Sequence, residues 1–182
     1  MRIKASKLQS IDDFIDCALF GIQYISVDAD YVVSKKKDGF GNLISAVPLQ
    51  KSRIVMESNT MLSEINKALT ICNPNVLQFN HNIDLDSLSV YKKNYKLWKL
   101  IASVKEAKKY NDICDAFVID YENIDSLISC KEVCEKSLII RPKHKDHVEK
   151  IADLTSRSVI VDIDYDNNEI YNFEQNHGSV IN

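Results

Sequence analysis

The stretch from Lys96 to Asp120 reads KLWKLIAS, then VKEAKKYNDIC, then DAFVID. An apolar segment of strand composition gives way to a polar, helix-forming one, and a second apolar burst stops on the carboxylate of Asp120. Strand, crossover helix and strand in this order is how a parallel sheet is written in sequence. Polar residues at the carboxyl ends of such strands are where α/β proteins place their chemistry.

The same unit recurs on both sides. Near the N-terminus, Arg2 to Ser6 reads as a short strand and Ser10 as the cap of a helix. Ile11, Phe14, Ile15, Ala18 and Leu19 share one face of that helix, and Gly21 ends it. Ile22 to Val27 then forms a strand closing on Asp28. Arg53 to Glu57, Val76 to Phe79, Ser137 to Ile140 and Ser158 to Ile163 supply further strands. Helices are expected from about Thr60, over Leu85 to Tyr91, over Leu127 to Cys134 and over His147 to Leu154. The segment Asp30 to Ser52 interrupts the rhythm, because Asp38-Gly39-Phe40-Gly41 between YVVSKKK and NLISAV predicts a hairpin or mobile loop. The tail after Asp164 is polar and offers at most a short final helix.

Eight strands alternating with helices predict a compact, closed (β/α)₈ barrel, with an irregular second unit and a reduced final helix. The chain of 182 residues is short for such barrels, which usually need at least ~200, so an open, doubly wound parallel sheet is the alternative. No linker-like stretch divides the chain, and one domain over residues 1–182 is expected.

Composition narrows the function. A net charge of −3 gives no basic face for nucleic acid, and the run Lys35-Lys36-Lys37 flows straight into Asp38-Gly39 as a solvated turn. No run of ~18 apolar residues crosses a membrane, and the N-terminus lacks the pattern of a signal peptide, so the expected location is the cytoplasm. Five widely spaced cysteines, Cys17, Cys72, Cys114, Cys130 and Cys134, read as free thiols in a reducing compartment. His144 and His147, flanked by lysines, read as a solvated helix start rather than a metal site. No cofactor and no bound metal are expected.

The predicted strand ends carry Ser6 and Lys7, Asp28, Glu57, Asn80 and His81, Ser103, Asp120, Arg141, and Asp162 with Asp164. Carboxylates and a histidine can perform acid–base chemistry, cap helices, or, if five of the acids converge, gather a divalent cation. Lys4 and Lys99 are the cations placed to pair with Asp120; otherwise Asp120 caps the following helix. Glycine-rich phosphate loops are absent, since no glycine lies between Gly41 and Gly178, and Arg141-Pro142-Lys143 follows the seventh strand. Nucleophile-elbow, P-loop, zincin and dinucleotide-binding motifs are also absent.

The order of pieces resembles phosphoribosylanthranilate isomerase, a single-domain (β/α)₈ enzyme of tryptophan biosynthesis. Lys4-Ala5-Ser6-Lys7 stands where that family has K-I-C-G, Gln78-Phe79-Asn80-His81 where it has Q-L-H-G, and KLWKLIAS and DAFVID resemble its fifth and sixth strands. The resemblance implies a catalytic acid at Asp120 and a degenerate base position at Ser6, where the family has cysteine. Lys4, His81, Arg141 and Asp162 are the expected substrate-binding positions. The family's glycine-rich phosphate loops have no counterpart, and its carboxylate-binding arginine falls on Asp30. Two readings follow. One is a pseudoenzyme of this barrel type that binds a small molecule or a protein partner. The other is an isomerase or lyase with a re-purposed mouth centred on Asp120.

Overall fold

A computed structural model describes residues 2–8, 10–36, 39–46, 52–59, 61–144, 147, 150–151 and 159–165. Eight parallel strands close into a barrel in sequence order: β1 (Arg2–Ser6), β2 (Tyr24–Asp28), β3 (Arg53–Ser58), β4 (Val76–Phe79), β5 (Lys96–Leu100), β6 (Ala116–Asp120), β7 (Ser137–Arg141) and β8 (Val159–Asp164). Closure is made by β1 on β8, with Arg2 to Ser6 registered on Ile160 to Asp164 residue for residue. The barrel expectation holds, and the open sheet is excluded.

The chain fits a barrel into few residues by using short helices. Those bounded within the described residues are α1 (Ile11–Leu19), α2 (Ala29–Ser34), α3 (Phe40–Ala46), α4 (Leu62–Leu69), α5 (Leu85–Lys92), α6 (Val104–Tyr110), α7 (Ile124–Leu127) and α8 (Lys131–Cys134). Ser10 caps α1 through a reciprocal box with Asp13. Ser103, expected at a strand end, instead caps α6 by accepting from the Glu106 amide.

Two local expectations are corrected. The hairpin or loop expected around Gly39 is a pair of helices, α2 and α3. Phe40 is buried there and meets Phe14 at 5.7 Å and Tyr31 at 5.5 Å, both edge to face. Burying that ring against α1 outweighs the local turn signal. The single helix expected over Leu127 to Cys134 is broken into α7 and α8, because Cys130 is extended between them. Most of the helix expected near His147 and all of the tail after Tyr165 lie outside the described residues.

Alternation along each strand gives the barrel two hydrophobic layers. One set of residues packs against the helices, including Ile3, Ile25, Met56, Leu77, Phe117 and Ile140. The other set points into the barrel. Its apolar part, with Tyr24, Val55, Val76, Trp98, Val118 and Ile139, forms a separate core. Along β8, β1, β2, β3 and β4 the inward set turns polar toward the carboxyl ends, through Asp162, Lys4, Ser6, Ser26, Glu57 and Gln78. The barrel interior is therefore apolar on one side and charged on the other.

Candidate functional site

Lys4 is the centre of the charged half. It sits mid-strand on β1 with no exposed surface, and its Nζ donates to Glu57 Oε1 at 2.5 Å, Asp162 Oδ2 at 2.7 Å and Ser6 Oγ at 2.9 Å. Period-two alternation sends Lys4 and Ser6 to the same face, and the neighbouring strands β8 and β3, one and two places away, deliver the two acids. Ser6 Oγ donates in turn to Asp162 Oδ1, and Ser26 donates to Glu57 Oε1. Asn80 Nδ2 reaches Glu57 Oε2 at 2.7 Å, and Gln78 Nε2 reaches Asn80 Oδ1 at 2.9 Å.

One ammonium cannot fully compensate two buried carboxylates. Burial pulls the Lys4 pKa down, but the two acids win and raise it, so Lys4 stays charged. Burial pushes Glu57 up, yet Lys4 and the donors Ser26 and Asn80 hold it at about 2. Asp162 goes the other way. Burial, with the Glu57 charge adding to it, raises its pKa despite Lys4 and Ser6. Asp28, at the rim, is also raised, first by burial and then by Glu57, and it accepts from Asn59 Nδ2 at 2.9 Å. The arrangement is a cation, a firmly ionised acid and a second acid that resists ionisation, linked by a hydroxyl.

The remaining strand-end residues form separate groups. Asp120 lies opposite Arg141 in the β6–β7 register, and its Oδ1 accepts from Arg141 Nε and Nη2, each at 2.8 Å. It touches neither Lys4 nor Lys99, and it does not cap the turn Tyr121–Asn123 that follows it. Lys99 faces the helix layer, where its Nζ lies over the Tyr110 ring at 5.2 Å. His81 pairs through Nε2 with Ser58 Oγ at 2.9 Å, its Nδ1 lying 2.9 Å from the Asn82 carbonyl oxygen. Asp164 forms an exposed pair with Lys7. The five acids do not converge, and among the described residues no group of three potential ligands is placed to hold a metal ion.

Of the six residues singled out in the sequence, Lys4, Ser6 and Asp162 meet in one network, Asp120 and Arg141 pair in another, and His81 stands apart. Ser26 was not singled out, and Gln78 entered only as part of the motif that carries the resemblance, with no site role. Their signal was available, since each is a polar residue in phase with the inward positions of an otherwise apolar strand.

No protein-family model matches the sequence, and no curated protein matches it. Solved structures do match in fold. A phosphoribosylanthranilate isomerase in complex with reduced 1-(o-carboxyphenylamino)-1-deoxyribulose 5-phosphate superposes with a TM-score of 0.69 at 11% identity, covering 90% of this chain and 87% of that one. The isomerase from Thermus thermophilus gives 0.66 at 10% identity over the same shares. Orotidine 5'-monophosphate decarboxylase from Methanocaldococcus jannaschii gives 0.67 at 15%, covering 90% and 88%. At these identities the likeness is one of fold. Among the described residues no helix is long and apolar enough to cross a membrane.

Proposed function

We propose that this chain is a phosphoribosylanthranilate isomerase-like barrel that does not carry out that isomerisation and that binds a small ligand at its mouth. One observation carries the reading. Both positions that the resemblance gives to the acid–base pair have intramolecular partners: Ser6 is held by Lys4 and Asp162, and Asp120 by two nitrogens of Arg141. A serine hydroxyl is no ready base at neutral pH, and the Asp120 oxygen that accepts from Arg141 is already engaged within the protein. Loss of a general base alone typically costs ~10²- to 10⁴-fold. The test is direct assay of the purified protein with phosphoribosylanthranilate, together with complementation of an isomerase-deficient strain. Turnover in either would refute the proposal; absence of both, with ligand-induced thermal stabilisation, supports it.

A second reading has its own observation. A lysine and two carboxylates buried together are costly to desolvate and are poor devices for stability. A buried acid with a raised pKa beside a cation is a recurrent feature of working sites. In this reading the barrel is an acid–base enzyme centred on Asp162, Lys4 and Ser6 rather than on Asp120. Gln78 Oε1, buried and with no partner among the described residues, adds a place for a donor. Asp162→Asn then abolishes ligand binding or turnover, whereas Asp120→Asn leaves them within a few-fold.

A further inference from the structure

The opposite end of the barrel carries a cavity. It has a volume of about 120 Å³ and opens among the amino-terminal ends of the strands. Its outer ring comes from alternate strands: Arg2 on β1, Arg53 on β3, Lys96 on β5 and Ser137 on β7. Three of these four positions are cations. Inside them lie Tyr24 and Trp98, whose rings are 5.0 Å apart, and the apolar walls of Val76 and Ile160. Ala116 is the smallest side chain of the lining and leaves more room there than its branched and aromatic neighbours.

Among the described residues, the charge lining this opening is mostly positive. Arg2 reaches the Tyr24 hydroxyl at 3.3 Å. Arg53 and Lys96 are exposed, and neither makes a side-chain hydrogen bond or ion pair among the described residues. The one carboxylate in the lining, Asp115, is engaged by Lys92 at 2.6 Å and by the Leu97 amide at 2.8 Å. Like charges gathered on one rim repel each other, and an anion relieves that cost. An apolar, aromatic interior of this size suits a single six-membered ring, which occupies an engineered cavity of about 150 Å³ in another protein.

We propose that the amino-terminal mouth of the barrel is a binding site for a small aromatic carboxylate, its ring packed on the adjacent Trp98 and Ala116 and its carboxylate on Arg53 and Lys96. The site is independent of the carboxyl-terminal mouth and of the function proposed for it. Ring burial supplies hydrophobic and stacking energy, and the carboxylate meets charge-assisted donors at the solvent edge, where desolvation is small.

Trp98 is the chain's single tryptophan and lines this cavity, so its fluorescence reports on it. The experiment titrates the full-length protein with benzoate, with benzyl alcohol and inorganic phosphate as comparisons. Saturable change with benzoate in the millimolar range is expected, with binding about tenfold weaker for Arg53→Gln or Lys96→Gln, as for the loss of one charge-assisted contact. Both residues are exposed, so these variants keep the fold. Ala116→Leu, checked for folding by circular dichroism, should abolish binding by filling the hollow. Absence of saturation with benzoate would overturn the proposal. So would equal affinity for benzyl alcohol, displacement of benzoate by equimolar phosphate, or unchanged binding in both the Arg53 and Lys96 variants or in folded Ala116→Leu.

Discussion

Lys4 sets the energetics at the scale of single residues. With no exposed surface and two carboxylate partners, it cannot be removed without leaving two buried acids uncompensated. Lys4→Met should therefore lower stability by about 3–5 kcal/mol in urea unfolding at neutral pH. Adding Glu57→Gln and Asp162→Asn should recover most of that loss. The two acids also make opposite contributions to the pH dependence. Glu57, depressed from 4.5 to about 2, adds stability that is fully present above pH 4.5 and lost as pH falls toward 2. Asp162 is raised, so its ionisation costs stability as pH climbs from 3.8 through its folded value. Carboxyl carbon shifts followed by NMR should separate the two. In Glu57→Gln, Asp162 becomes the sole acid on Lys4, and its pKa should fall as the Glu57 charge is removed. No change there would mean that the two sites are not coupled.

At the scale of elements, α3 shows how tertiary packing overrules a local signal. Gly39, at φ +73°, supplies the left-handed turn that the sequence announced, but the chain then enters a helix rather than a strand. Gly41 lies so close to Ile71 that an added Cβ would stand 2.7 Å from its carbonyl oxygen and closer still to its side chain. Gly41→Ala should thus destabilise by about 1–3 kcal/mol through a clash with backbone, despite alanine's better helix propensity. Gly39→Ala meets no neighbour within 4 Å, and its cost is the backbone strain alone. Thermal unfolding of the two variants distinguishes packing from conformational strain, with Gly41→Ala the more damaging.

For the whole molecule, closure of β1 on β8 joins the fold to the site. The same five-residue pairing that shuts the barrel brings Asp162 to Lys4 and Ser6. A chain ending before Val159 loses both a strand and half of the counter-charge on Lys4. It should show no cooperative thermal transition by circular dichroism, whereas the full chain unfolds in one step. The two mouths also differ in character. The carboxyl end is a buried network containing two acids for one lysine, and the amino end is a rim of exposed cations over an aromatic hollow.

The sequence by itself determined the alternation of parallel strands and helices, while closure of that sheet into a barrel was decided by the tertiary structure. Apolar bursts such as DAFVID, SLIIR and SVIVDID, separated by polar amphipathic stretches, permit little besides alternating parallel strands and helices, because both faces of each strand must be buried. It also determined that Lys4 and Ser6 share one face of their strand, since alternation of period two is a local property. Their grouping with Asp162 was decided by the tertiary structure. Which strand ends become neighbours depends on register and closure, and these paired Asp120 with Arg141 rather than with Lys4, and gave Lys4 to Glu57 and Asp162. The hollow at the other end was likewise invisible in sequence. A cavity is a deficit of volume among four strands at once, and no single stretch records it.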